Sequence, residues 1–156
     1  MPQAIPAPGE VVQKVLQNLS DADTVNALIA PDAVYVSLNF DNPELERILP
    51  WTGTNHGAAS FTEALGRMFT YWELVSFEPT DFLEEGDKVA VFGKFTYRSR
   101  TVDKVVTSPF AIFAKVSDGL ITYLQFMEDT YATASSFRAS GTWVVHNDPA
   151  GSPFEV

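Results

Sequence analysis

The sequence predicts an α+β fold in which a strongly curved antiparallel sheet wraps around N-terminal helices. Three observations carry that expectation: a helical first half ending near Trp72, four apolar-rich strand segments after it, and a short turn sequence between each pair of those segments. Such a sheet, closed by helices, makes a pocket before any chemical group is chosen.

Three prolines and a glycine make residues 1–9 a flexible leader. Val11, Val12, Val15, Leu16 and Leu19 then recur at helical spacing and predict a first helix over about residues 9–19. Ser20 or Asp21 can cap a second helix carrying Val25, Leu28 and Ile29, with Pro31 marking its end. Val34 to Leu38 reads as a short strand. Between 41 and 57, Pro43, Pro50, Gly53 and Gly57 predict a loop, and Leu45, Ile48 and Leu49 give it one amphipathic turn. That loop is either a lid or an anchored surface connection.

From Ala58 to Trp72, Phe61, Leu65, Met68, Phe69 and Trp72 fall at offsets of three and four and predict a third helix with one apolar stripe. Long strands follow near 74–85, 88–100, 104–116 and 120–129. Glu85-Gly86-Asp87, Thr101-Val102-Asp103 and Ser117-Asp118-Gly119 separate them and suit hairpins, which makes these four strands antiparallel. Asp129 and Thr130 can cap a last short helix reaching about Phe137. One domain over 10–138 is expected, then a C-terminal tail over 139–156 whose Trp143-Val144-Val145 packs on the sheet or on a dimer partner.

Composition narrows the function classes. Twenty acidic against ten basic side chains leave a charge of −10, which repels phosphate backbones and anionic lipid surfaces, so neither nucleic acid nor membrane is an expected partner. No cysteine occurs, which removes disulfides, thiolate nucleophiles and cysteine metal sites. The two histidines stand far apart and no carboxylate cluster has ligand spacing, so no metal and no cofactor is expected. The amino terminus has neither a positive n-region nor an apolar h-region, and a soluble cytoplasmic protein is the expectation. Aromatic residues reach 13%, twelve of them Phe, which points to an aromatic core, an aromatic cavity lining, or both.

Four landmarks in order carry a family resemblance: Leu28-Ile29-Ala30-Pro31-Asp32-Ala33-Val34, then Trp51-Thr52-Gly53 with His56-Gly57, then Asp118-Gly119-Leu120-Ile121, then Met127-Glu128-Asp129-Thr130. With this element order the chain resembles the SnoaL-like, ketosteroid isomerase-like group of the nuclear transport factor 2 fold. The resemblance implies a cone-shaped sheet, a cystatin-like α+β barrel with an apolar pocket at its open end, and commonly a homodimer through the sheet.

Fold leaves the reaction open, because this group includes isomerases, hydrolases, cyclases and noncatalytic modules. The resemblance places the isomerase base at Ser37, its neutral acid at Ala111 and its first-helix tyrosine near Gln13. For the Asp-Arg-Asp set of the limonene epoxide hydrolase branch it places the Arg at Gly93, the first Asp at Phe95 and the second Asp at Phe126, the last also being the cyclase acid position. None of these side chains supplies the required group.

Strand alternation shows what remains. With Phe126 facing inward as the resemblance implies, Leu124 and Glu128 face inward and Asp129 outward. Glu128 is then the candidate acid or base, its pKa raised by an aromatic enclosure; the alternatives are a wet mouth or a pair with Arg98 or Arg138. Asp129 caps the last helix. His56 is a candidate proton carrier at the pocket rim, or is simply solvated. Tyr35, Trp51, Phe95, Tyr97, Phe113 and Phe126 are the candidate ligand-binding aromatics. The expected partner is a small apolar or aromatic molecule, turned over without cofactor by an isomerase, cyclase or hydrolase, or only bound. The competing expectation is a noncatalytic dimeric interaction module with a filled cavity.

Overall fold

A computed structural model describes residues 4–156 of the chain. The elements run α1 (Pro8–Gln17), α2 (Ala22–Asn26), β1 (Ile29–Ser37), α3 (Pro43–Ile48), β2 (Gly53–His56), α4 (Ser60–Tyr71), β3 (Trp72–Glu85), β4 (Lys88–Ser99), β5 (Val105–Ser117), β6 (Leu120–Glu128), α5 (Thr130–Ser135), β7 (Val144–Val145) and β8 (Phe154–Glu155). The leader expected over 1–9 falls partly outside the described residues, and at its inner end Pro8 and Gly9 already belong to α1. Proline suits that first turn because its missing N–H is one that no helical carbonyl would accept.

Six strands form one sheet in the order β2-β1-β6-β5-β4-β3. The four long strands pair antiparallel, as their hairpin turns predict. β1 joins them parallel to β6, with Tyr35 opposite Leu124 and Ser37 opposite Phe126. The chain between them is long enough for that crossover. Two elements differ from expectation here. Pro31 does not end a helix but lies inside β1, exposed, in the stretch where the β1–β6 register shifts between Ile29 and Val34; an irregular stretch tolerates a residue that cannot donate to the ladder. Gly53–His56, expected as loop, forms strand β2 against β1.

The concave face of the sheet and two helices enclose the core. α1 buries Val11, Val12, Val15 and Leu16, and α4 buries Phe61, Ala64, Leu65 and Met68, each a stripe at offsets of three and four. β4 and β5 alternate as half-buried strands do: Val89, Val91, Phe95 and Tyr97 face inward from β4, and Phe110, Ile112 and Ala114 from β5. Gly93 interrupts the β4 series for a steric reason. A Cβ there would stand 2.3 Å from the Glu78 carbonyl oxygen and 2.7 Å from the Phe110 ring, so only glycine lets that ring lie against the strand. The tail segment Trp143–Val145 packs through Trp143, which stands edge-on to Tyr131 of α5 with ring centroids 5.4 Å apart, while Val144 and Val145 pair with β8.

Candidate functional site

α1, α4 and the concave sheet face leave a cavity between them. Leu16, Leu19, Phe61, Leu65 and Met68 wall it on the helical side, and Tyr35, Ile112, Leu124 and Phe126 on the sheet side. The empty space totals about 510 Å3, but the centre of a water molecule could range over only about 40 Å3 of it. That is room for roughly three waters.

One carboxyl group reaches this cavity. Glu128 is the last residue of β6, opposite Phe110 of β5 and two positions beyond Phe126, so strand alternation turns it inward. The residue as a whole is half-buried, whereas carboxylate Oε1 is sealed from solvent and has no hydrogen-bond partner. Burial pushes the carboxyl up to about 8, the charge of neighbouring Asp129 adding to the rise and the Thr133 hydroxyl opposing it. Neither arginine considered from the sequence pairs with it. Arg98 binds Asp103 at 2.9 Å, and Arg138 keeps a buried Nη1 with no partner.

Two tyrosines share the neighbourhood. Burial pushes the Tyr35 phenol up to about 12, with the Ser37 hydroxyl opposing and the Glu128 charge adding. The Tyr97 phenol is raised further by burial, then by Glu128 and Tyr35. These mutual effects place both phenols and the carboxyl within electrostatic reach of one another. At neutral pH all three favour their protonated forms, so the lining of an apolar cavity includes three residues that carry an O–H.

The other sequence candidates separate. Trp51, 3% exposed, lines the cavity and leans on Trp72 at 4.7 Å. Phe95 is fully buried behind the wall and packs on Phe126 at 6.1 Å. Phe113 does not join the site. It alternates with Ile112 and Ala114 to the outer face, where its ring meets Tyr123 at 6.1 Å. His56 stays away as well, exposed on β2 opposite Val34. Ala111 likewise faces outward, Ile112 taking the inward position. The helical walls were readable only as a core stripe, because periodicity finds a buried face without saying whether it meets atoms or a void. Phe77, which also lines the cavity, was hidden by two register shifts in β3.

Among the described residues no group of His, Cys, Asp and Glu could hold a metal ion, and no helix is long and apolar enough to cross a membrane.

Comparison with known proteins bears on the family and the fold. A model of the SnoaL-like domain matches residues 15–124. Patulin synthesis protein F of Aspergillus clavatus is 42% identical over 151 residues, covering 92% of this chain and 76% of that one. Patulin biosynthesis cluster protein F of Penicillium expansum is 39% identical over 150 residues, covering 92% and 75%. Among solved structures, an NTF2-like protein from Burkholderia thailandensis superposes with a TM-score of 0.74 at 20% identity, over 85% of this chain and 98% of that one.

Proposed function

This chain belongs to the SnoaL-like family, and from that membership we propose that it binds a small, uncharged, largely apolar molecule in the inner cavity and moves a proton on it with Glu128, without a cofactor. The observation that carries the reading is the sealed, partnerless Oε1 of Glu128 beside an apolar cavity. A buried polar atom left without a partner costs stability, and such atoms concentrate where a ligand completes the hydrogen bonds. The two relatives named for patulin synthesis support work on a small metabolite.

The chemistry follows from protonation state. With its carboxyl pushed up to about 8, Glu128 is mostly protonated at neutral pH and donates to a carbonyl oxygen of the ligand. Tyr35 or Tyr97 can hold the same oxygen as it gains charge, since both phenols keep their protons. As that O–H bond forms, the carboxylate takes the proton of the carbon next to the carbonyl, so one C–H bond breaks, one O–H bond forms, and the enol produced is an isomer of the ligand with Glu128 protonated again. Apolar walls and scarce room for water favour that outcome over water addition.

Glu128→Gln keeps the shape and removes the transferable proton. Turnover of the substrate, once identified by native mass spectrometry of a copurified molecule, is expected to fall about 100-fold or more with folding intact. Unchanged turnover sinks the role of Glu128. The narrowness of the cavity favours a second reading, a noncatalytic interaction module with a filled cavity, and the same mass spectrometry separates the two: that module copurifies with no small molecule.

The outer sheet face supports a homodimer. Phe92 of β4, Val105 of β5 and Met127 of β6 are exposed there, with the half-buried Phe113 among them. Light scattering is expected to give twice the chain mass of 17.2 kDa; a monomer at micromolar concentration removes the dimer.

A further inference from the structure

One neighbouring depression shares walls with the inner cavity. Outside α1 and the edge strand β3 lies an open groove of about 580 Å3 whose lining includes Gln13, Gln17, Pro79 and Phe82, and two further lining residues, Leu16 and Phe77, also line the inner cavity. Those two side chains are therefore the partition between the groove and the chamber that holds Glu128.

The partition has the properties of something that moves. β3 is the outermost strand on its side of the sheet, with β4 as its one strand neighbour, and the Gly9 N–H of α1 donates to Glu84 Oε2 near its far end at 2.7 Å. Its ladder to β4 shifts register between Leu74 and Ser76 and again between Pro79 and Asp81, so Phe77 sits on a short segment bracketed by two irregularities. Pro79 contributes no backbone donor. A segment paired on one side and interrupted at both ends opens at lower cost than a central strand. Phe77 itself is half-buried, whereas Phe95 opposite it has no exposed surface.

A track leads inward from the partition. The Phe77 ring lies on Phe110 with centroids 4.7 Å apart and planes 8° apart, and Phe110 lies on Phe126 at 5.3 Å and 19°. Glu128 follows two residues after Phe126 on the same face. Three near-parallel rings thus run from the edge strand to the carboxyl. The groove side offers two exposed carboxamides, Gln13 and Gln17, and no charged side chain.

We propose that the ligand reaches the inner cavity between α1 and β3, past Leu16 and Phe77, and that Phe77 sets the largest ring that passes. The proposal rests on the inner cavity being the ligand site and adds the ligand class to it: a flat, uncharged ring system bearing a hydrogen-bonding oxygen, met first by two carboxamides and then by stacked aromatic faces.

Two uncharged ketones serve as probes, 2-cyclohexenone with one ring and 1-tetralone with two fused rings. Phe77→Ala is expected to bind 1-tetralone at least tenfold tighter than the parent protein and to bind 2-cyclohexenone at least tenfold faster. Leu83→Ala, an exposed change on the same strand that lines neither the cavity nor the groove, is expected to alter neither. The absence of cysteine allows a second arm that leaves the packing alone. Gln17→Cys labelled with N-pyrenylmaleimide is expected to slow 2-cyclohexenone binding at least tenfold, while the same label on His56→Cys leaves the rate unchanged. The proposal is overturned if Leu83→Ala matches Phe77→Ala, if the label on residue 17 leaves the rate unaltered, or if no protein of the set binds either ketone. Should Phe77→Ala fail to fold, the labelled Gln17→Cys protein decides alone. The pH titration of the Glu128 carboxyl, followed by infrared absorption in the absence of any probe, tests the proton-transfer reading separately, so failure of the route leaves that reading standing.

Discussion

Glu128 and Asp129 share a peptide bond and meet opposite environments. At the end of β6, Glu128 points into the cavity with Oε1 sealed and partnerless. At the start of α5, Asp129 is exposed and accepts a hydrogen bond from the Ala132 N–H at 3.1 Å, while its own N–H donates to the Ser108 hydroxyl at 3.0 Å. One carboxyl is a cost the fold carries for its cavity; the other stabilises the turn that closes the strand. The difference comes from one step of strand alternation, which shows how cheaply a fold can separate chemistry from structure.

The sharpest test of that contrast is stability against pH. In the unfolded chain Glu128 titrates near 4.5, and in the folded protein burial raises it to about 8. Between those values the folded state holds the extra proton, so stability falls as pH rises from about 4.5 to about 8 and is level on either side. The full span is about 5 kcal/mol, an order-of-magnitude figure. Urea unfolding of Glu128→Gln at pH 5 and pH 9 is expected to lose most of this fall, leaving the variant several kcal/mol more stable relative to its parent at pH 9 than at pH 5. An identical pH dependence in both proteins means that the carboxyl is solvated.

Asp129→Ala makes the complementary change. Loss of the cap is expected to cost about 1 kcal/mol at neutral pH, while turnover stays within about twofold because the side chain does not reach the cavity. A loss of turnover as large as that of Glu128→Gln would reverse the two assignments. Asp129→Asn keeps a capping oxygen and removes the charge that helps raise Glu128. The alkaline limb of the activity profile, where Glu128 loses its proton, is expected to move down by a few tenths of a pH unit.

How far the sequence speaks for such a site depends on which interaction decides each residue. The four long strands and α4 were legible because their apolar periods and turn residues agree with the tertiary answer. Glu128 was legible through parity, since β6 keeps its alternation from Tyr123 to its end. Phe113 shows the limit of reading by residue type: its ring suits a pocket, but β5 parity puts it on the outer face. Phe77 was illegible because two register shifts break the count along β3. β2 was missed because four polar-looking residues become a strand only when β1 offers them a partner.

The smallest expected effect belongs to His56, and it is informative for that reason. Its position beside Gly57 suggested a proton carrier, yet the side chain is exposed on β2, and no wall of the cavity includes it. Proton transfer needs hydrogen-bond reach or a single bridging water, and an exposed imidazole outside the chamber has neither. His56→Gln is therefore expected to leave turnover within about twofold and the melting temperature within about 1 °C, as surface changes away from packed features do. A tenfold fall in turnover with unchanged melting would place the reacting group at the β1–β2 edge, and the cavity ending in Glu128 would then be packing rather than a reaction chamber.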